Sequence, residues 1–118
     1  MKKLFLSCLS VALLGGIAMA GGHEKGTLGT VKDRGSLNCG VSTGLVGFAA
    51  PDANGNWAGF DVDVCRAVAA AIFGDSSKVE FTTTTGKSRF PTLASGEIDM
   101  LARNTTWTLS RDVNLGFE

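Results

Sequence analysis

The residues with the most to offer chemically lie between Asp99 and Arg111. Asn104, Thr105 and Thr106 place side-chain donors and acceptors just beyond an apolar run, Ile98 to Ala102. That run comes after a Gly96-Glu97 turn and reads as a buried strand. Thr108 has the character of an N-cap, which puts Arg111 in the first turn of a short helix. A cation at that position opposes the helix dipole, which favours anions at this end. A guanidinium, hydroxyls and free helix N–H groups around one point suit a carboxylate, which Arg can hold through two parallel hydrogen bonds. The competing reading is a strand-to-helix turn with a solvated Arg.

Other chemistries fit less well. His23 is the only histidine, so neither a His-based triad nor a multi-His metal site can be assembled, and no catalytic residue or cofactor site emerges. Gly86-Lys87-Ser88 imitates the end of a phosphate-binding loop, but the glycine required five residues earlier is Phe81. Asp52, Asn54, Asn56 and Asp63 copy part of a calcium-loop spacing, yet the position that needs Gly is Trp57 and no helix precedes it. A hairpin turn around Asn54-Gly55 accounts for the same residues. Asn104-Thr105-Thr106 is a formal glycosylation sequon that a strand-end turn explains equally well. Cys39 and Cys65 are too far apart in sequence for a Cys-x-x-Cys redox pair or a zinc knuckle. One sits on an expected strand, the other on the inner face of an expected helix. A structural disulfide and two buried free thiols both remain open.

These residues need a scaffold, and the chain supplies one after its first 20 residues. Met1-Lys2-Lys3 is a basic start, Leu4 to Ile17 is apolar, and Ala18-Met19-Ala20 has the small-x-small form of a cleavage site. Residues 1–20 therefore read as a secretory signal peptide, cleaved after Ala20, and too short for a membrane span. The rest of the chain has the length of one small α/β domain or part of a larger one. Without Lys2 and Lys3, the 11 basic residues fall to 9 against 11 acidic ones, so nothing points to nucleic acid or an anionic membrane surface. Residues 21–36 read as a polar, Gly-rich leader with a short helix over Thr27 to Arg34 stopped by Gly35. A strand is expected at Leu37 to Val41, running into a Ser42-Thr43-Gly44 loop. A helix is expected at Val62 to Phe73, with Asp61 as N-cap and Gly74 as C-cap. A one-faced strand over Lys78 to Thr83 and a helix over Gly86 to Ser95 complete the alternation. This order predicts a largely parallel sheet flanked by helices, with ligands at the carboxyl ends of its strands. The loops beginning at Ser42 and Asn104 both lie there.

Three segments, Asn38 to Gly44, Gly55 to Ala69 and Ser95 to Arg111, together resemble the periplasmic amino-acid-binding proteins of ABC transporters, most closely the general L-amino-acid type. The Gly59-Phe60-Asp61-Val62-Asp63 stretch, the Ser95-Gly96-Glu97-Ile98-Asp99 turn and the Thr108-to-Arg111 ending carry the resemblance as an ordered set. It implies a periplasmic-binding-protein-like (type II) fold of two α/β lobes, of which residues 37–118 would be most of the first. The second lobe and a returning segment would lie outside this sequence. In that family Arg111 would clamp the α-carboxylate, assisted by Thr106, with the Asn104-Thr105 backbone against the α-amino group. Phe48 would wall the ligand, and Ser42 and Thr43 would line the pocket. An acidic residue near Ser42 and an aromatic one near Leu45, found in several specific relatives, are absent here. Their absence implies a pocket without fixed charge.

The resemblance therefore implies an exported, periplasmic protein that captures L-amino acids and delivers them to a membrane permease. It would need no cofactor and no metal, would not be an enzyme, and would be a monomer when full length. It implies two rivals as well. A dehydratase-like enzyme on the same fold would need a general acid or base near Arg111, and Asp99 is expected at the far end of its strand. A ligand-sensing receptor domain would need a membrane span and signalling domain downstream. Fold alone does not separate these.

Overall fold

The computed structural model describes residues 26–115; the signal-peptide reading of residues 1–20 lies outside them. The elements are helix α1 (Thr27–Arg34), strand β1 (Leu37–Ser42), the short strands β2 (Ala50–Pro51) and β3 (Trp57–Ala58), helix α2 (Phe60–Phe73), strand β4 (Val79–Thr84), helix α3 (Arg89–Ala94), strand β5 (Met100–Leu101) and helix α4 (Leu109–Leu115). Strands β4, β1 and β5 form a parallel sheet in that order, with Cys39 opposite both Phe81 and Met100. Strands β2 and β3 form a separate antiparallel hairpin. Among the described residues, no helix is long and apolar enough to cross a membrane.

Burial explains why β1 is central. Every residue of it except Asn38 is buried, as a strand covered on both faces requires. Gly40 sits at its middle, where a Cβ would fall against Ile98 Cδ1 and lie 3.0 Å from Leu101 Cδ1, so the small residue lets β5's neighbours close over the strand. Helix α2 packs across β1, β3 and β4. Its Val62, Cys65 and Ala69 are buried, and the first two join Cys39, Val41, Ala49 and Ala102 in the main core. A disulfide links Cys39 on β1 to Cys65 on α2, with Cα atoms 6.2 Å apart. Val31, Leu37 and Ala69 form a second cluster that seats α1 on the sheet, with Val68, Ile72 and Met100 around it.

Helix ends follow local chemistry in most places. Gly35 (φ 81°) and Gly74 (φ 71°) adopt the left-handed conformation that closes α1 and α2. The start of α2 departs from expectation. Asp61 is not its N-cap: the helix begins at Phe60, after Gly59 at φ 123°. The backbone explains the change. Gly47 O accepts from Phe60 N (3.0 Å) and Phe48 O from Asp61 N (2.9 Å), so loop carbonyls satisfy two of the free helix donors and no side-chain cap is needed. A Cβ on Gly59 would collide with the Phe48 carbonyl, which makes this approach specific to glycine.

Helix α3 is shorter than the expected span. Thr85 and Ser88 satisfy each other's backbone N–H groups through their hydroxyls (2.9 and 3.0 Å), holding the chain in a turn before Arg89. Pro91 then falls in the first helical turn, where its missing N–H is harmless. Strand β5 is assigned only two residues. The bonds from Asp99 N to Asn38 O (2.8 Å) and from Ala102 N to Gly40 O (2.9 Å) nevertheless extend its contact with β1 on both sides. In the hairpin, Asp52 Oδ1 accepts from Asn54 N and Asn56 N, each at 2.8 Å, and Gly55 takes φ 82°.

Candidate functional site

The carboxyl ends of β1, β4 and β5 converge, and a cleft of about 260 Å3 opens there. It is lined by Ser42, Thr43, Gly44 and Leu45 from the loop after β1, and by Arg103 and Asn104 from the loop after β5. Ser42 is buried; its hydroxyl donates to Ala49 O (3.3 Å) and accepts from Leu45 N (3.4 Å), which holds the rim of the loop in place. Thr84, the last residue of β4, is buried too and donates to Val41 O across the sheet at 3.1 Å.

Arg103 ties the two outer strands together at this end. Its guanidinium donates to the Thr84 carbonyl and to Thr84 Oγ1 (3.0 Å). Arg89, at the start of α3, reaches the same region and donates to Asn104 O (3.3 Å) and Thr105 Oγ1 (3.2 Å). Arg111 donates to Thr106 O, and its own N–H is held by Thr108 Oγ1 at 3.3 Å, the capping contact expected of Thr108. The guanidinium carbons of Arg89 and Arg111 lie 4.9 and 5.2 Å from the centre of the Phe90 ring. Both cations thus lie over the Phe90 ring, within reach of its π system.

Three guanidiniums therefore crowd one end of a small sheet. Burial depresses the Arg89 pKa below its ordinary value, and the positive charges of Arg103 and Arg111 depress it further. Among the described residues the ion pairs are Arg34–Asp99 and Arg66–Asp63, and neither involves this cluster. One carboxylate lies near it. Asp61 is buried, at 6% exposure, and burial raises its pKa while the charge of Arg103 works the other way. Chemically the arrangement is a cationic, hydrogen-bonding pocket rim; among the described residues no cluster of three or more His, Cys, Asp or Glu is placed to hold a metal ion.

Of the residues singled out from sequence, Ser42, Thr43 and Asn104 line the cleft. Thr105, Thr106 and Arg111 are outside its lining: Arg111 donates directly to Thr106 O, Arg89 donates to Thr105 Oγ1, and both guanidiniums lie over Phe90. Phe48 lies on the loop before the hairpin, 44% exposed, with its carbonyl engaged by α2 and its side chain outside the lining. Asp99 sits at the opposite end of the sheet, paired with Arg34. Sequence reasoning missed Arg89 and Arg103. Arg103 changes one expectation outright: the cleft does carry a fixed charge. A signal existed, since Arg103 is the first residue after the apolar run ending at Ala102 and so falls at a strand's carboxyl end.

Relatives agree with this architecture. The chain is 57% identical over 116 residues, 98% of its length, to the "General L-amino acid-binding periplasmic protein AapJ" of Rhizobium johnstonii. It is 52% identical over 117 residues to the "Glutamate/glutamine/aspartate/asparagine-binding protein BztA" of Rhodobacter capsulatus, covering 99% of this chain. In both cases it spans 33% of the relative, so the chain corresponds to about a third of the curated proteins it matches. Among solved structures it is similar to an ABC transporter periplasmic binding protein from Brucella ovis with glutathione bound (63% identity, TM-score 0.74), covering 76% of this chain and 28% of that one. Residues 37–118 match the bacterial extracellular solute-binding proteins, family 3, and the chain belongs to that family.

Proposed function

We propose that this chain supplies the first lobe of an exported binding protein that captures L-amino acids in the periplasm and hands them to an ABC transporter permease. Residues 1–20 serve as the signal peptide, removed after Ala20, and residues 21–36 lead into a lobe that residues 37–118 largely build. The second lobe lies in the part of the protein that the longer relatives have beyond this stretch. The protein works by binding and closure rather than by chemistry on its ligand, and needs no cofactor.

The observation that carries this reading is the carboxyl-end cluster of Arg89, Arg103 and Arg111, whose hydrogen bonds among the described residues go to carbonyls and hydroxyls. Guanidiniums without a carboxylate partner stand ready for one brought by a ligand, and the α-carboxylate is common to every amino acid. Arg111 takes that group, with Thr106 and the Asn104-Thr105 backbone beside it. Ser42, at the end of β1, and Thr43, in the loop after it, face the ligand, and Phe48 covers it when the lobes close. Ligand contacts to both lobes then stabilise the closed state.

Isothermal titration of the full-length protein with several amino acids tests this. Arg111→Ala is expected to weaken all of them by a similar factor, on the order of 30-fold or more, because removing the Arg leaves a buried carboxylate unpaired. Arg111→Lys recovers only part, since a point charge makes one of the two bonds. If Arg111→Ala leaves every ligand within about twofold of wild type, the carboxylate is held elsewhere.

A further inference from the structure

Asp61 has no assigned task. It does not cap α2, its Oδ2 is buried without a hydrogen-bond partner among the described residues, and an ionised carboxylate in such a place is costly unless something offsets it. The charge it senses is that of Arg103, whose Nε is likewise buried and unpartnered among the described residues. Arg103 in turn has two engagements. Its guanidinium donates to Thr84 at the end of β4, and the residue forms part of the cleft wall together with Asn104, Thr43 and Leu45. No carboxylate lines that cleft, and among the described residues Arg103 is its only charged lining residue.

We propose that Arg103 sets the charge preference of the cleft for the ligand's side chain, favouring acidic ends over neutral amides and both over cationic ones, and that the buried Asp61 is a positioning residue that tempers that preference. The proposal rests on the amino-acid reading above. A bound amino acid occupies Arg111 with its α-carboxylate, which leaves Arg103 free to meet whatever the side chain carries. A carboxylate gains from the guanidinium directly. An amide oxygen can accept from it without charge pairing. An ammonium meets the charge of Arg103 and, with it, that of Arg89, two like charges that already act on one another. The buried Asp61 carboxylate, whose charge couples to that of Arg103, subtracts from the positive field the ligand experiences. That is how one cleft can accept neutral side chains as well as acidic ones without the guanidinium dominating.

The two residues therefore push selectivity in opposite directions, and a merely structural role for either would not. The experiment is calorimetric titration of the full-length protein with L-glutamate, L-glutamine and L-lysine at one ionic strength. Arg103→Met is expected to weaken L-glutamate about fivefold more than L-glutamine and to relieve part of the penalty on L-lysine. Arg103→Lys, which keeps the charge, should hold the glutamate-to-glutamine ratio within about twofold of wild type. Asp61→Asn should shift that ratio toward glutamate, by about two- to threefold. Equal loss of all three ligands in Arg103→Met, or an Asp61→Asn ratio that is unchanged or moves the same way as in Arg103→Met, overturns the proposal; the Asp61→Asn ratio decides alone if the Met variant does not fold. Binding with unaltered ratios defeats this inference and leaves the amino-acid reading standing, whereas a wild-type protein that binds no amino acid defeats both.

Discussion

The two ends of the parallel sheet handle charge in opposite ways. At the amino end, the Asp99 carboxylate accepts from Asn38 N (2.7 Å) and pairs with Arg34, which also donates to Ser36 O through Nε (3.1 Å) and through a terminal nitrogen (3.0 Å). Cation, anion and backbone satisfy one another there. At the carboxyl end, Arg89, Arg103 and Arg111 have only uncharged acceptors among the described residues, and the nearby carboxylate, Asp61, is buried without a partner for one oxygen. The same six-residue strand, β1, runs between them. A closed circuit of charges is what structural stability alone would select. The open one is the end that the proposed ligand carboxylate would complete.

The difference can be broken first from the core that both ends share. Replacing Cys39 and Cys65 by serine removes the covalent tie between sheet and helix, and is expected to lower unfolding stability by about 3 kcal/mol. Chemical denaturation of the oxidised protein measures it, and an unchanged midpoint would mean that α2 is held by packing alone. Gly59→Ala comes next. A Cβ there meets the Phe48 carbonyl at φ 123°, so a loss of about 2 kcal/mol is expected, with the start of α2 and the Phe48 loop disturbed together. The amino end ranks third: Asp99→Ala leaves Asn38 N without its acceptor and Arg34 without its carboxylate, and is expected to cost about 1–3 kcal/mol while leaving ligand affinity untouched. An Asp99 variant that loses affinity but not stability would reverse the contrast between the two ends.

The smallest expected effect is also the one whose sign is most informative. Burial raises the Asp61 pKa, so the folded state keeps a proton that the unfolded chain has released. The stability linked to that proton is fully present below the unfolded value of 3.8 and is lost as pH rises through the raised folded value. At neutral pH the ionised group therefore works against folding. Asp61→Asn should melt above wild type at pH 7, and the advantage should disappear as pH falls below 3.8. Thermal melts across that range check it, and a variant less stable at every pH would show that the carboxylate is satisfied in the fold.

What could be read from the sequence was mostly what is local. Gly35 and Gly74 stop their helices through backbone freedom, and Thr108 caps α4, each within a few residues of its effect. The strand expected at Leu37 to Val41 is there as β1, but its place between β4 and β5 depends on pairing that its own residues do not announce. The start of α2 was misplaced because its cap is made by carbonyls from residues 47 and 48, which no propensity of Asp61 reveals. The site was half legible for the same reason. Ser42, Thr43, Asn104 and the overlooked Arg103 can be placed from strand ends, whereas Arg89, at the start of α3, comes beside Asn104 and Thr105 only once β4 and β5 are laid on either side of β1. The bond between Cys39 and Cys65 likewise depends on a helix-to-strand distance that spacing in sequence does not contain.

If the open end of the sheet is completed by a ligand carboxylate, the ligand itself can be altered to test it. Titrating the full-length wild-type protein with L-glutamine and with its α-carboxamide, in which that single anionic group is neutral, isolates the contribution without touching the protein. The α-carboxamide is expected to bind at least about 30-fold more weakly, the penalty for offering the Arg111 side of the cluster no charge. Equal affinity for the two ligands would contradict this, and would mean that the guanidiniums at the carboxyl ends of β4 and β5 serve the fold rather than the ligand.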